Sequence, residues 1–406
     1  MAQSGAAGSE TLQDIIERLA DFEPVDLPFI SLYLNAQANE HGRADFDRFL
    51  RKEFNTLLRT YEEQSPARAS FERDVERINA YLADELRPES NGVAIFACAG
   101  ADEFFQAVQF EAPVENHRLY IYNQPHLYPL ARLMDQYPRY AVLVADTNRA
   151  QLFVFARGKA IGREEVQNVK TRRSQVGGWS QARYQRHNEN YHLHHAKELT
   201  DVLERVVRED GIEHIILAGD EQIIPLLREQ FPKAVEEKVV DVLSLDINTP
   251  EHEVFTETLE VMRGHDAMND FEKVQRLFDA YRSGGLAVVG SQDTLEALSM
   301  GQVEELLITA SQQHVEGDKD DVAILSTSEV GVGEPVVAGQ DGAVAELDAD
   351  SVVVSADLVA RAHQTAARVT FIEDPTLLAE VGGVGALLRY RITPPTTDSA
   401  PQPQHA

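Results

Sequence analysis

A basic segment with a Gly-Gly pair lies in the middle of a strongly acidic chain. The sequence from Lys170 to His195 reads KTRRSQVGGWSQARYQRHNENYHLHH, with five Lys/Arg and four His against one carboxylate, whereas the whole chain has a net charge of −30. Basic side chains attract phosphates, Gly-Gly lets a backbone approach a ligand closely, and Trp179, the only tryptophan, can stack on a base. The segment predicts a loop that contacts nucleic acid and leads into a helix near Arg183 or later. The alternative is a surface loop that binds nothing.

The end of this segment contains enough imidazoles to suggest a metal site. The five candidate ligands lie within nine residues and are His187, Glu189, His192, His194 and His195. They lack the HExxH pairing of zinc hydrolases, and a metal would need a further carboxylate or a fourth group from elsewhere. We therefore favour a polar or RNA-facing helix, and we predict neither a metal nor a cofactor.

Three other patterns could carry chemistry. Asp146, Asp220 and Asp241 end or punctuate predicted strands, where clustered carboxylates could bind magnesium in an RNA endonuclease; helix and turn capping is the alternative that we favour. Cys98 lies in an apolar strand, which is typical of a core thiol rather than a nucleophile. The Gly-rich stretch 381–390 precedes a strand rather than a helix, which favours a tight turn over a phosphate cradle.

Composition limits the class of protein. A chain of 406 residues exceeds one ordinary domain. The excess of 67 acidic over 37 basic residues argues against wholesale binding of DNA or of anionic membranes. One cysteine excludes an intramolecular disulfide and fits a cytoplasmic protein. We find neither a signal-peptide pattern nor an apolar run of the ~20 residues that span a bilayer, so we expect a cytoplasmic protein without a membrane partner.

Alternating strand and helix patterns predict a multi-domain α/β protein. A mixed α/β N-terminal domain is expected over residues 11–137, a middle domain with the Gly-Gly loop over 138–275 and a compact α/β sandwich over 276–393. The small polar start, 1–10, and the Pro-rich tail, 394–406, are predicted to be disordered.

Several motifs resemble the archaeal and eukaryotic class I peptide-release-factor superfamily, in particular its bacterial branch, Pelota and the tRNA hydrolase of ribosome quality control. In release factors, a Gly-Gly-Gln loop precedes a basic helix. Here GGWSQARYQRH places Gly177 and Gly178 before Ser180, Arg183, Tyr184, Arg186 and His187 in the same order. LAVVGSQDTLEALSMGQVEELLIT and FIEDPTLLAEVGGVGALLRYRI are similar to the family's C-terminal domain, and FISLYLNA and NGVAIFACAG to strands of its N-terminal domain.

Two features depart from the family pattern. Trp179 occupies the position of the glutamine that follows Gly-Gly, and Gln181 is the nearest glutamine. The quality-control hydrolase also has its glutamine displaced, so either Gln181 acts from a shifted position or the site is inactive. The N-terminal part lacks the Asn-Ile-Lys-Ser and Tyr-x-Cys-type motifs that read stop codons, which points to codon-independent release.

The resemblance implies a middle domain with an RNase H-like fold and hydrolysis of peptidyl-tRNA in the peptidyl-transferase centre of the large ribosomal subunit, in rescue or quality control. Gly177, Gly178 and Gln181 would be the catalytic residues. A non-catalytic, Pelota-like ribosome-binding adaptor is the rival function. The expected partners are the ribosome, rRNA and peptidyl-tRNA, and a GTPase partner stays open. The residues expected to bind RNA are Lys170, Arg172, Arg173, Trp179, Ser180, Arg183, Tyr184, Arg186 and His187.

Overall fold

The computed structural model describes residues 12–37, 46–110, 112–156, 159–167, 181–317, 336–339 and 349–391. The side chains of residues 181–191 and of parts of the strand at 159–167 are outside this description. The segments predicted to be disordered, 1–10 and 394–406, also lie outside the described residues. In the parts of the chain that are described, no helix is both long and apolar enough to cross a membrane.

Helices and strands alternate along the chain, as the sequence predicts. The helices are α1 Leu12–Ala20, α2 Asp47–Leu58, α3 Pro66–Asp84, α4 Tyr128–Gln136, α5 Gln181–Glu209, α6 Ile224–Gln230, α7 Lys233–Glu236, α8 Glu251–Arg282, α9 Ser291–Ser299 and α10 Ala349–Gln364. The strands are β1 Phe29–Asn35, β2 Gly92–Cys98, β3 Phe104–Phe110, β4 Arg118–Tyr122, β5 Tyr140–Ala145, β6 Arg149–Ala156, β7 Lys159–Gln167, β8 His214–Gly219, β9 Val239–Leu243, β10 Ala287–Val289, β11 Val303–Thr309, β12 Val336–Gly339, β13 Arg368–Ile372 and β14 Val384–Leu388. They form three sheets, which confirms the multi-domain α/β fold class.

The middle sheet has the order β7-β6-β5-β8-β9, and the Gly-Gly pair lies in the chain between its strand β7 and helix α5. Strands β5, β6 and β7 form an antiparallel meander, and β8 and β9 run parallel to β5. Residues of β5 alternate between two cores, because successive side chains of a strand point to opposite faces. Leu143 packs with α5 and α6, whereas Val142 and Val144 pack against α8. That the middle domain is RNase H-like stays a prediction.

The N-terminal sheet has the order β12-β4-β1-β2-β3. One of its faces packs against α2 and α3 through residues such as Phe54, Phe71 and Ile78. The other face contributes to a core that also includes α1, α4 and residues of the C-terminal region. Its edge strand β12 comes from Val336–Gly339, far along the chain, and pairs antiparallel with β4. The N-terminal and C-terminal regions therefore share one core and one sheet.

The C-terminal sheet has the order β10-β14-β11-β13 and is covered on both faces. Helices α9 and α10 lie on one face, and Val274 and Leu277 of α8 lie on the other. Helix α8 has 32 residues and contacts both this sheet and the middle sheet. The predicted boundary between residues 275 and 276 falls within α8, and the three domain ranges stay predictions.

Candidate functional site

Some of the predicted site residues lie outside the described residues, and the others lie at the start of α5. Those that lie outside the described residues are Lys170, Arg172, Arg173, Gly177, Gly178, Trp179 and Ser180. Those in the first two turns of α5, where the backbone is described and the side chains are not, are Gln181, Arg183, Tyr184, Arg186 and His187. The structure therefore fixes where this site attaches to the fold, at the start of α5.

Helix α5 begins at Gln181, two residues before the start that the sequence predicts. The first residues of α5 carry no apolar periodicity, so the sequence pattern alone does not locate the start. Gly178 stands three positions before Gln181. The N–H groups of a helix's first turn have no acceptor within the helix, and the positive end of the helix dipole lies there. The loop therefore ends at a helix terminus suited to a negatively charged oxygen.

The second half of α5 anchors this helix to the middle sheet. Ala196, Leu199, Leu203 and Val206 are all buried in the core that α5 forms with β5 and β8. Gln181 precedes this anchored part by about 20 Å of helix, at about 1.5 Å per residue. Rigid packing at one end of a long helix fixes the direction of its other end.

Two polar contacts link α5 to the β5–β6 turn and to β7. Nδ1 of His192 lies 3.4 Å from the carbonyl oxygen of Thr147. Arg205 donates to Glu164 of β7 at 2.7 Å. His195 is fully buried, and this burial lowers its pKa, although the nearby backbone of Asp146 and Arg149 and two carboxylates raise it. His195 is therefore a neutral core residue on the buried side of α5.

The imidazole cluster does not assemble a metal site in the described part of the chain. His194 is exposed and the adjacent His195 is buried, so the two side chains leave the helix in different directions. No group of three or more His, Cys, Asp or Glu side chains that could hold a metal occurs among the described residues. The polar-helix interpretation stays a prediction, because the side chains of His187 and Glu189 are outside the described residues.

The three aspartates of the endonuclease hypothesis each accept a hydrogen bond from a backbone N–H close to them in the chain. Oδ1 of Asp146 accepts the N–H groups of Asn148 at 2.6 Å and Arg149 at 2.7 Å. Oδ1 of Asp220 accepts the N–H two residues later at 3.0 Å, and Oδ1 of Asp241 accepts the next N–H at 2.7 Å. The contacts of Asp146 and Asp220 are turn contacts of the kind that we favoured from the sequence, whereas Asp241 lies within β9 and caps no helix.

Two further sequence interpretations are confirmed. Cys98 is fully buried, and burial raises the pKa of its thiol to about 11. Gly382 and Gly383 have φ values of 68° and 78° in the turn before β14. A Cβ on Gly383 would lie 2.2 Å from the carbonyl oxygen of His314, so this turn requires glycine for space as well as for φ.

Sequence reasoning missed a buried polar network between the N-terminal and C-terminal regions. Nε2 of Gln312 donates to Oγ of Ser355 at 2.7 Å and lies 3.0 Å from Nε2 of His126. The His126 ring stacks on Tyr120 with centroids 3.8 Å apart, and burial lowers the His126 pKa to about 3. These residues come from distant segments, and no local pattern marks them as partners.

Two family models match adjacent parts of the chain. Bacterial archaeo-eukaryotic release factor family 10 matches residues 125–263, and eRF1 domain 3 matches residues 267–392. Together they span about two thirds of the sequence, in the order expected for a release factor. The chain belongs to the archaeo-eukaryotic release factor superfamily, which confirms the resemblance seen in its motifs.

Solved structures of the same superfamily show similarity at low identity. The archaeal translation termination factor aRF1 is 14% identical, with 93% of this chain and 97% of that chain covered and a TM-score of 0.25. S. cerevisiae Dom34, a termination-like factor of RNA quality control that interacts with Hbs1, is 10% identical, with coverage of 76% and 81% and a TM-score of 0.42. Archaeoglobus fulgidus Pelota is 15% identical, with coverage of 74% and 89% and a TM-score of 0.30. No curated protein matches the chain.

Proposed function

We propose that this protein is a codon-independent release factor that hydrolyses peptidyl-tRNA on ribosomes, in rescue or quality control. The observation that carries this proposal is the family 10 match over residues 125–263, because it includes the basic Gly-Gly segment and the helix that follows it. Membership of the release-factor superfamily also supports the ribosome, rRNA and peptidyl-tRNA as partners. The reaction would take place in the cytoplasm.

The proposed chemistry needs little from the protein. The ester between peptide and tRNA is already activated, so catalysis consists mainly of placing a water at the carbonyl carbon and stabilising the oxyanion that develops. Gly177 and Gly178 would let the loop fit closely between RNA strands. The Gln181 amide would orient the water, and N–H groups in the first turn of α5 would donate to the oxyanion or to the leaving 3′-oxygen.

Basic side chains around the loop would hold the RNA. Lys170, Arg172 and Arg173 precede the Gly-Gly pair, and Arg183 and Arg186 follow it in α5. Contacts with phosphates position a protein without reading sequence. This distribution is suited to a factor that acts whatever codon occupies the decoding site.

A non-catalytic ribosome-binding adaptor is the second candidate. The observation in its favour is Trp179, which stands directly after Gly-Gly where release factors have glutamine. An adaptor would keep the RNA contacts and lose ester hydrolysis. The two functions therefore differ in peptide release and not in ribosome binding.

The test uses purified ribosomes stalled on an mRNA without a stop codon and carrying a labelled nascent peptide. We expect the wild-type protein to release the peptide and Gln181→Ala to release it about a hundredfold more slowly, which is the size of effect that a poorly positioned reactant can have. Gln222→Ala is the matched control, because Gln222 is an exposed glutamine in the turn that follows β8 of the middle sheet.

Ribosome binding is measured in parallel by co-sedimentation. Binding without release by the wild-type protein would reject the hydrolase and support the adaptor. Failure to bind ribosomes would reject both functions. RNA cleavage that depends on added magnesium would instead support the endonuclease hypothesis.

A further inference from the structure

A cavity of about 320 Å³ lies between the N-terminal sheet, α4 and the residues that follow β11. Tyr33 of β1 and Arg118 and Tyr120 of β4 line one side, and Tyr128 and Arg132 of α4 line another. Its volume falls within the ~300–1,000 Å³ that is typical of small-molecule sites, and such sites often lie between domains. None of the residues that line it belongs to the middle sheet or to α5.

Two guanidinium groups that line this cavity have buried donors without an acceptor. Nη1 of Arg118 and Nε of Arg132 are both buried, and neither has a hydrogen-bond partner among the described residues. Nη2 of Arg132 lies 3.7 Å from Glu115 and 3.7 Å from Glu373, whose side chains are 66% and 52% exposed. Pairs of this length and exposure contribute little, so both arginines can still bind an anion.

The charge of the lining is opposite to that of the protein. Arg118 and Arg132 face a single carboxylate, Glu115, in the lining, whereas the whole chain carries −30. The planar fork of a guanidinium group matches phosphate and carboxylate oxygens, and paired donors bind these oxygens most strongly. The lining therefore favours a ligand that carries a phosphate or a similar anion.

The rest of the lining contains partly exposed apolar surface. Tyr33 and Tyr128 are only 2% and 3% exposed, so their rings form a fixed, buried part of the wall. The apolar side chains of the lining that stay partly exposed include those of Val114, Pro129 and Leu133. Amide side chains also line the cavity, and amides can pair with the edges of bases. They are Asn116, Gln136 and Gln313.

We propose that this cavity binds a nucleotide, with its phosphate on Arg118 and Arg132 and its base against the partly exposed apolar side chains of the lining. A free mononucleotide and an unpaired nucleotide of an RNA strand present the same chemistry. Either one would contact the N-terminal sheet, α4 and the residues after β11 at once. Occupancy would therefore strengthen the union of the N-terminal and C-terminal regions. This inference does not depend on ester hydrolysis at the Gly-Gly loop.

The experiment measures binding to the full-length protein by isothermal titration calorimetry. The probes are AMP, GMP, adenosine, inorganic phosphate and a single-stranded hexaribonucleotide. We expect one AMP or GMP per chain, with adenosine and phosphate alone at least about tenfold weaker, because each lacks half of the contacts. Arg118→Gln and Arg132→Gln should each weaken binding about tenfold, since each removes a charge-assisted contact. Arg59→Gln, at an exposed position after α2, is the matched control.

The source of the nucleotide follows from which probe binds. Mononucleotide binding that is weakened by Arg118→Gln supports a free ligand. Hexaribonucleotide binding alone, weakened by the same substitution, supports an RNA strand in the same cavity. Arg118→Lys, which keeps the charge, should retain part of the affinity and guards against a folding defect in the glutamine variant. Binding of none of the nucleotide probes at millimolar concentration, or wild-type affinity in both glutamine variants, would overturn the proposal.

Discussion

Asp135 of α4 is a largely buried carboxyl group whose ionisation the fold opposes. Its Oδ2 accepts the N–H of Phe371 at 3.3 Å. Burial is the main cause that raises its pKa from 3.8 to about 7; Asp266 and Asp270 raise it further, and Lys273 and the Phe371 N–H lower it. The folded protein holds this proton more tightly than the unfolded chain does. Its contribution to stability is therefore fully present below about pH 4 and is lost as the pH rises towards about 7.

Asp135→Asn removes the ionisation and keeps an oxygen that can accept the N–H of Phe371. One pKa unit corresponds to about 1.4 kcal/mol. Between about pH 5.5 and the folded pKa near 7, the wild-type protein loses up to about 2 kcal/mol of stability at this group, and the variant does not. The free energy of unfolding of the variant should thus rise relative to wild type by up to about 2 kcal/mol between about pH 5.5 and 8.5.

Urea denaturation at both pH values measures this difference. Asp201→Asn, at an exposed position of α5, is the control and should show the same difference from wild type at both. The reasoning is refuted if Asp135→Asn differs from wild type by the same free energy of unfolding at both pH values. A variant that falls further below wild type at the higher pH would refute its sign as well.

Two other predictions concern packing. Leu203→Ala removes a fully buried side chain by which α5 packs on the middle sheet. It should lower the free energy of unfolding, measured in urea, by about 2–5 kcal/mol. Glu204→Ala, on the exposed side of α5, is the control and should change it by less than about 0.5 kcal/mol. Cys98 should resist a thiol reagent at pH 8 in the folded protein, because burial raises its pKa to about 11, and should react at once in denaturant; rapid labelling of the native protein would contradict its place in the core.

The sequence predicts those elements whose residues alternate or repeat with a buried face. Strands β2 and β5 are apolar along their length, which is the pattern of a strand buried on both faces, and both are found where expected. Helix α5 is predicted well only from Ala196 onwards, where buried residues recur at helical spacing. Its first part is polar and carries no such pattern, so the predicted start near Arg183 lies two residues after the observed start at Gln181.

Contacts between distant segments could not be predicted in this way. Strand β12 has four residues, too few for a clear periodicity, and its partner β4 precedes it by more than two hundred residues. The cavity arginines pose the same problem: Arg118 lies on a strand and Arg132 on a helix, and each alone has the pattern of an ordinary surface cation. Only the fold shows that both arginines line the same cavity and that each has a buried donor without an acceptor among the described residues.

The pairing of β12 with β4 also constrains how the protein is made. While the ribosome synthesises the chain, the N-terminal sheet can assemble four of its strands, but the edge of β4 has no partner until Val336–Gly339 has left the exit tunnel. An open strand edge is a template for pairing with other chains. A nascent chain that is interrupted before this point therefore carries an exposed β-edge, and the N-terminal region completes its sheet only after Gly339 has been translated.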